Sequence, residues 1–360
     1  VKAAVQHADI TEPGMGKESK DRDPVEELAV ELAGADSLVG PVELFDRWER
    51  QWWTTRELQM EDDRADWEQL GPFTLRELRL RLYQFFLGEA AVTRTLPALT
   101  LAAPTNTAQC FLATQAADEA RHTIFFWRYL RAVGETDGTD VDTLAEQWSI
   151  DASASHSQFF DSELVRATEA VRVNLSDRGA WLAGITIYHL LTEAVLAIAG
   201  QRGIVRTARR VRRLPVLTRG ALNVARDESR HIAFGVRALR EGVHEGHGDA
   251  VVGMVCEQIP LLTSILVSPE QRLPQLVPGA LGSFVQEISA SWDAAYDALA
   301  KRLRLIGLDD VVGDVDRRWQ RGIRDALEDY QVRHGVAHPA TMLRPAVAAE
   351  ASLPVAGGSA

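Results

Sequence analysis

The words Asp118-Glu119-Ala120-Arg121-His122 and Asp227-Glu228-Ser229-Arg230-His231 are near duplicates, and each stands inside a long segment of helical apolar period. In a helix, residues i and i+3 share a face, roughly 4.5 Å apart along the axis. Glu119 with His122, and Glu228 with His231, therefore each aim a carboxylate and an imidazole in one direction. Two such helices packed face to face can hold two metal ions if two further helices each supply one inward carboxylate. Glu89 and Glu193 occupy those places, giving the order Glu89, Glu119/His122, Glu193, Glu228/His231.

A lone Glu-x-x-His carries little weight. Glu241-Gly242-Val243-His244 matches the pattern too, but lies beside glycines at a helix end and is set aside. The neighbours of Glu193 (Leu190, Leu191, Val195, Leu196 and Ile198) leave it no polar face. A buried carboxylate is costly unless positive charge compensates it, and two divalent ions would do so. For Glu89 the plainer reading is that Gly88 to Ala91 is a small-residue patch permitting close helix packing. One imidazole per metal among carboxylates suits iron or manganese and does not separate them. Asp118 and Asp227 read either as exposed charges or as carboxylates that orient the ligand imidazoles, Asp227 the more so. Arg121 and Arg230 are expected to point away from the metals into surface or interhelical ion pairs.

The chain has 360 residues, 46% of them apolar, enough for a substantial core. A net charge of -12 and a pI near 5.3 argue against a general nucleic-acid binder. The basic run Arg206 to Arg213 reads as a solvated helix end or turn. Two cysteines support neither a disulfide framework nor a cysteine-rich metal site, and with no N-terminal signal pattern they suit the cytoplasm. Trp181 to Gly200 is apolar enough to raise the question of a membrane span, but His189 and Glu193 inside it favour a buried core helix.

No run of strand period appears, so the fold class is all-α. Residues 1–35 read as a flexible N-terminal arm, 36–335 as one helical domain and 336–360 as a disordered tail. Within the domain a first long helix is expected to be capped by Thr74 and kinked or nearly ended at Pro97. A second runs from about 107 to 133 with Gly134 as its stop, a third from 180 to its end at Gly200, and a fourth from 216 to about 241. Further helices follow at 280–305 and near 314–333.

With these residues in view, the chain resembles the ribonucleotide-reductase small-subunit superfamily, and within it the ligand-binding oxidases, over roughly residues 55–240. The likeness rests on Asp63-Arg64-Ala65-Asp66-Trp67-Glu68, Gly88-Glu89-Ala90-Ala91-Val92-Thr93, Asp118 to Thr123, Tyr188 with Glu193, and Asp227 to His231. It implies a ferritin-like bundle with additional helices, often a homodimer, that activates dioxygen at two metal ions, Mn/Fe or Fe/Fe, and holds a fatty-acid-like ligand. Glu89, Glu119 and His122 would hold the first metal and Glu193, Glu228 and His231 the second, with Glu119 and Glu228 able to bridge. It also implies an ether link between Val92 and Tyr188, although α-helical spacing sets Tyr188 about 140° around from Glu193. Phe126 stands where radical-forming subunits usually carry a tyrosine, and the Ala/Pro/Gly tail lacks the aromatics that dock on a large subunit.

The leading expectation is a dioxygen-activating dimetal oxidase or oxygenase acting on a small apolar or amphiphilic organic ligand, in a cavity lined by residues such as Phe126 and Leu196. No nucleic acid or membrane span enters this expectation, and the electron donor is left open. The alternatives are a reductase small subunit without the usual tyrosyl radical, a ferroxidase or iron store, and a metal site retained only as a scaffold. The chain is far longer than an iron-storage bundle needs.

Overall fold

The computed structural model of this chain describes residues 23–149, 153–273 and 278–343. Helices make up 83% of it, and the described residues contain no strand, in agreement with the all-α expectation.

Four long helices carry the expected ligands. Helix α4 (Pro72–Leu101) begins with Gly71 as N-cap and Pro72 in its first turn, where a missing N–H is no loss. The expected cap at Thr74 therefore lies inside the helix. Pro97 does not end it either, because Leu96 and Leu99 are fully buried and Trp181 Nε1 donates to the Leu99 carbonyl at 2.9 Å. Helix α5 (Asn106–Ala132) is capped by the Thr105 hydroxyl and is followed by Gly134 at φ +82°, the expected stop. Helix α8 (Arg178–Val211) runs straight through Gly200. That glycine serves close approach instead of termination, since a Cβ there would lie 2.4 Å from the Phe85 ring.

Helix α9 (Pro215–His244) follows a sharp turn with Arg212 and Leu214 in left-handed conformations. The acidic word before α4 explains how this turn is held. Buried Asp63 accepts from the backbone N–H groups of Val216 (3.1 Å) and Leu217 (2.8 Å), and Asp66 accepts from that of Leu214 (3.2 Å). Distant side chains thus supply the cap for the first turn of α9, where N–H groups lack partners within the helix.

Around this centre lie α1 (Pro24–Glu31), α2 (Pro41–Arg50), α3 (Arg64–Glu68), α6 (Val141–Ser149) and α7 (154–173). Helices α10 (Gly248–Val267), α11 (Pro278–Leu305) and α12 (Val312–His334) complete the set, α10 and α11 packing over the middle of α8. The expected N-terminal arm is corrected for 24–35: α1 buries Leu28 against α8 and α9, and Ala35 is enclosed too. At the other end, the turn Pro339–Leu343 packs on α11 with His338 and Ala340 buried, so the tail does not begin at 336. Residues 1–22 and 344–360, where the rest of those two expectations fall, lie outside the described residues. Two helices, Arg178–Val211 and Gly248–Val267, are long and apolar enough to cross a membrane. The most apolar window of the first is 78% buried inside the fold and that of the second 44%.

Three histidines away from the ligand words are held neutral by burial: His156 with its pKa pushed down to about 4, His189 to about 3 and His338 to about 4. The unfolded chain takes up these protons from about pH 6.5 downward. Their contribution to stability is therefore complete above that pH and is lost as pH falls toward 4. Denaturant titrations at several pH values should show wild type losing roughly 1–3 kcal/mol more than His156→Gln between pH 7 and 4. Parallel slopes for the two proteins would contradict this.

Candidate metal centre

Glu89 of α4, Glu119 and His122 of α5, Glu193 of α8, and Glu228 and His231 of α9 converge at the centre of the bundle, all buried. Glu89, Glu119, His122 and Glu228 offer ligand atoms within 4.8 Å of one another, and so do Glu119, Glu193 and His231. His122 Nδ1 lies 3.5 Å from Glu89 Oε2, Glu119 Oε2 and Glu228 Oε1. His231 Nδ1 lies 3.4 Å from Glu119 Oε1, 3.6 Å from Glu193 Oε1 and 3.7 Å from Glu228 Oε2. Glu119 and Glu228 thus each turn one oxygen toward each imidazole, the disposition a bridging carboxylate needs.

The donor set fits two ions. Both His Nδ1 atoms, Glu193 Oε2 and Glu228 Oε2 are buried without a hydrogen-bond partner. A buried polar atom left unpaired costs about 1–3 kcal/mol. These are the atoms ligation would use, and carboxylate oxygen with imidazole nitrogen suits manganese or iron.

Burial drives Glu89 and Glu193 well above the usual carboxylate range and raises Glu228. Burial would raise Glu119 as well, but His122 and His231 overcome it and hold Glu119 far below that range. Burial opposes charge on both rings, yet Glu89 and Asp227 push His122 up while Asp118 and Glu119 push His231 up.

A second layer holds the first. His122 Nε2 is 3.2 Å from Asp227 Oδ2, and His231 Nε2 is 3.1 Å from Asp118 Oδ2. Each aspartate therefore orients the histidine of the other word and fixes which ring nitrogen faces the metals. Trp48 Nε1 donates to Asp118 at 2.9 Å and Trp53 Nε1 to Asp227 at 2.7 Å. Arg121 pairs with Asp118 and, at 2.9 Å, with Asp227; Arg230 reaches Asp118 at 2.9 Å and Asp227 at 2.7 Å. The expectation of interhelical ion pairs holds, but a surface position does not: Arg230 is 2% exposed. Asp-x-x-Arg and Glu-x-x-His are two pairs offset by one residue, about 100° around the helix, so one word faces both the metals and the opposite helix.

Residues 186–197 of α8 are wound as a π-helix, with the Thr192 hydroxyl donating to the Ile187 carbonyl five residues back at 2.8 Å. With i→i+5 bonding the chain is wound more loosely than in an α-helix, so Tyr188 and Glu193, five residues apart, lie closer around the axis than the roughly 140° that α-helical spacing gives. Tyr188 Oη in fact reaches Glu119 Oε1 at 3.1 Å. A cavity of about 240 Å³ opens beside the ligands and is lined by Glu89, Val92, Glu119, Glu193, Leu196 and Glu228 among others. Phe126, expected in its wall, is one layer back, stacked on Phe85 at 5.4 Å between centroids, and Phe85 takes the wall position. Tyr188 is not part of the wall. Sequence reasoning missed Gln115, whose Nε2 lies 2.8 Å from Glu193 Oε1, and His189 behind it. The available signal was Gln115 standing four residues, one turn, before Glu119.

Residues 42–252, more than half of the chain, match the family described as ribonucleotide reductase, small chain. Among solved structures, the chain is similar to an R2-like ligand-binding oxidase from Sulfolobus acidocaldarius, at 22% identity over 73% of this chain and 91% of that one, with a TM-score of 0.56. Variants of an R2-like ligand-binding oxidase are similar too. One with an anaerobically reconstituted Mn/Fe cofactor has 18% identity over 79% of this chain and 93% of that one, with a TM-score of 0.56. One with an aerobically reconstituted Mn/Fe cofactor has 17% identity over 84% and 95%, with a TM-score of 0.57. At these identities the likeness establishes a shared fold.

Because carboxylates and rings hold protons with raised pKa values, a metal ion must displace them. Loading with Mn²⁺ in weakly buffered solution should release protons, read by an indicator dye, and affinity should fall as pH falls through the region where these groups protonate. Uptake with no proton release would contradict the charge balance described.

Proposed function

Since this chain belongs to the ribonucleotide reductase small-chain family, we propose that it is a dimetal oxidase that uses dioxygen to oxidise a small apolar or amphiphilic organic ligand. The observation that carries this reading is the meeting of six candidate ligands with a cavity: Glu89, Glu119, Glu193 and Glu228 form part of the cavity wall, and each turns an oxygen to within 3.7 Å of a histidine Nδ1. Glu89 and His122 would hold one ion and Glu193 and His231 the other, with Glu119 and Glu228 shared between them. When bound, the ions supply the redox chemistry.

The chain's own residues do the rest. Asp227 and Asp118 keep the two Nδ1 atoms turned inward, and Tyr188 donates to Glu119. One face of α4 walls the cavity from Phe73 through Glu77, Leu80, Gln84 and Gly88 to Val92, roughly 28 Å at about 1.5 Å per residue. Phe85, Phe160, Leu196 and Ile265 add apolar surface that excludes water near the ligands. Such a wall favours an organic substrate over the hydrated ion that an iron store takes in. With Phe126 stacked on Phe85, no phenol stands at that position to hold a radical, which favours the oxidase over a tyrosyl-radical reductase subunit. The reading extends to a homodimer in the cytoplasm, supported by the family and by two unpaired cysteines.

It extends also to the Val92–Tyr188 ether. There Val92 Cβ–H and Tyr188 Oη–H would give a C–O bond, two protons and two electrons, with dioxygen as oxidant. Val92 faces the cavity and Tyr188 stands behind Glu119.

Metal analysis of the isolated protein should find close to two ions per chain drawn from manganese and iron, and Glu228→Ala with His231→Ala should remove about one of them. Full occupancy in that double variant would sink the ligand assignment. Solvent extraction with mass spectrometry should recover an amphiphilic molecule. Peptide mapping after metal loading and exposure to oxygen tests the ether: joined Val92 and Tyr188 peptides, two hydrogens lighter and absent in Tyr188→Phe, support it. Separate peptides throughout leave Tyr188 only its bond to Glu119.

A further inference from the structure

The two metal positions are alike in ligands and unlike in what stands behind them. Gln115 is fully buried on α5, one turn before Glu119. Its amide nitrogen lies 2.8 Å from Glu193 Oε1 and 3.3 Å from Glu119 Oε1. These are two of the three carboxylate oxygens that face His231 Nδ1, and the nearer two. Tyr188 Oη adds a third donor, to the same Glu119 oxygen. Among the described residues, no amide or hydroxyl donor is placed on the carboxylate of Glu89 or of Glu228.

An amide can face two carboxylates only with its NH₂ group, and something must then take its oxygen. His189 does so: its Nε2 lies 3.0 Å from Gln115 Oε1, and an amide oxygen can only accept, so the ring proton is assigned to Nε2 and donated to the amide. The ring is 1% exposed and packs on Phe234 at 5.6 Å between centroids. Helix α9 makes room for it by carrying glycine at 235, where a Cβ would lie 2.3 Å from His189 Cβ. The chain of donors runs from His189 through Gln115 to Glu119 Oε1 and Glu193 Oε1 at one metal position, and each link fixes the direction of the next.

We propose that Gln115, oriented by His189, is a positioning residue that selectively sets the affinity of the metal position formed by Glu119, Glu193 and His231. This rests on the dimetal reading above. The Gln115 amide holds the Glu193 carboxylate in the direction ligation needs before any ion arrives. The position around Glu89 and His122 lacks such a hold and keeps carboxylates free to turn toward the cavity. Outer partners of this kind are typically worth about 10–100-fold in metal affinity.

The test is calorimetric titration of Mn²⁺ into metal-free wild type, Gln115→Leu, His189→Leu and the double variant, with anomalous scattering from crystals to assign each position. Gln115→Leu should weaken the Glu119/Glu193/His231 position by about 10–100-fold and change the other by less than about threefold. His189→Leu should do the same although its side-chain hydrogen bond goes to Gln115 and not to a metal ligand, and the double variant should lose no more than the worse single one, because the two act as one chain. Gly235→Ala, which displaces the ring without removing a hydrogen-bonding atom, should give the same selective loss. Unchanged affinities in the variants, additive losses, or equal loss at both positions with a lowered melting temperature of the metal-free protein would overturn the proposal. Wild type that takes up no Mn²⁺ would overturn the dimetal reading, and this inference with it.

Discussion

Four glutamates share one buried space with two imidazoles, and the rest of the molecule is arranged around the electrostatic problem they create. Removed from water, like charges at this spacing cannot all remain ionised. Burial raises Glu89, Glu193 and Glu228, the first two well above the usual carboxylate range, while Glu119, which faces both rings, is held far below it. Two divalent cations answer the same problem without protons. The unpartnered Nδ1 and Oε2 atoms make the cluster capable of that answer.

The layer behind the ligands solves a second problem, that of direction. Burial works against Asp227 as an anion, but its hydrogen bond to His122 and the neighbouring arginines hold it far below the usual range. The crossed arrangement of Asp118, Asp227, Arg121 and Arg230 is neutral by count and ties α5 to α9 at the level of the carboxylate–imidazole cluster. Indole N–H groups from 48 and 53 complete it, and the Arg121 guanidinium lies over the Trp52 and Trp53 rings at 4.5 and 5.0 Å. Removing a member of such a network leaves other buried charges unpaired, so these groups act together.

Helix irregularity tunes this frame. The π-helical turns of α8 place Tyr188 and Glu193 on one side of the helix, where regular winding would have separated them. The small residues Gly200 and Gly235 let Phe85 and His189 come close to helix backbone, so one shapes the cavity and the other supports the ligands. On the cavity side, His156 and His338 are kept neutral by burial and stand in a wall that mixes apolar side chains such as Phe160 and Ile265 with polar ones such as Gln84 and Thr192.

By itself the sequence determined the fold class, the order of ligand helices and the six converging residues. These follow from periodicity: spacing within a helix decides which side chains share a face, and a carboxylate among large apolar residues must meet a compensating charge. Sequence spacing also pointed to Asp227 as a partner for an imidazole, but could not say that each aspartate serves the opposite helix. That depends on how α5 and α9 meet. Tertiary structure alone decided that Arg230 is buried, that Phe85 takes the wall position expected of Phe126, that Asp63 caps α9, and that Gln115 and His189 stand behind one metal position. Each of these joins residues far apart in the chain, and the local winding that sets Tyr188 beside Glu119 breaks the very period from which side-chain direction is read. Periodicity reports a face of a helix, whereas the neighbour that face meets is set by packing.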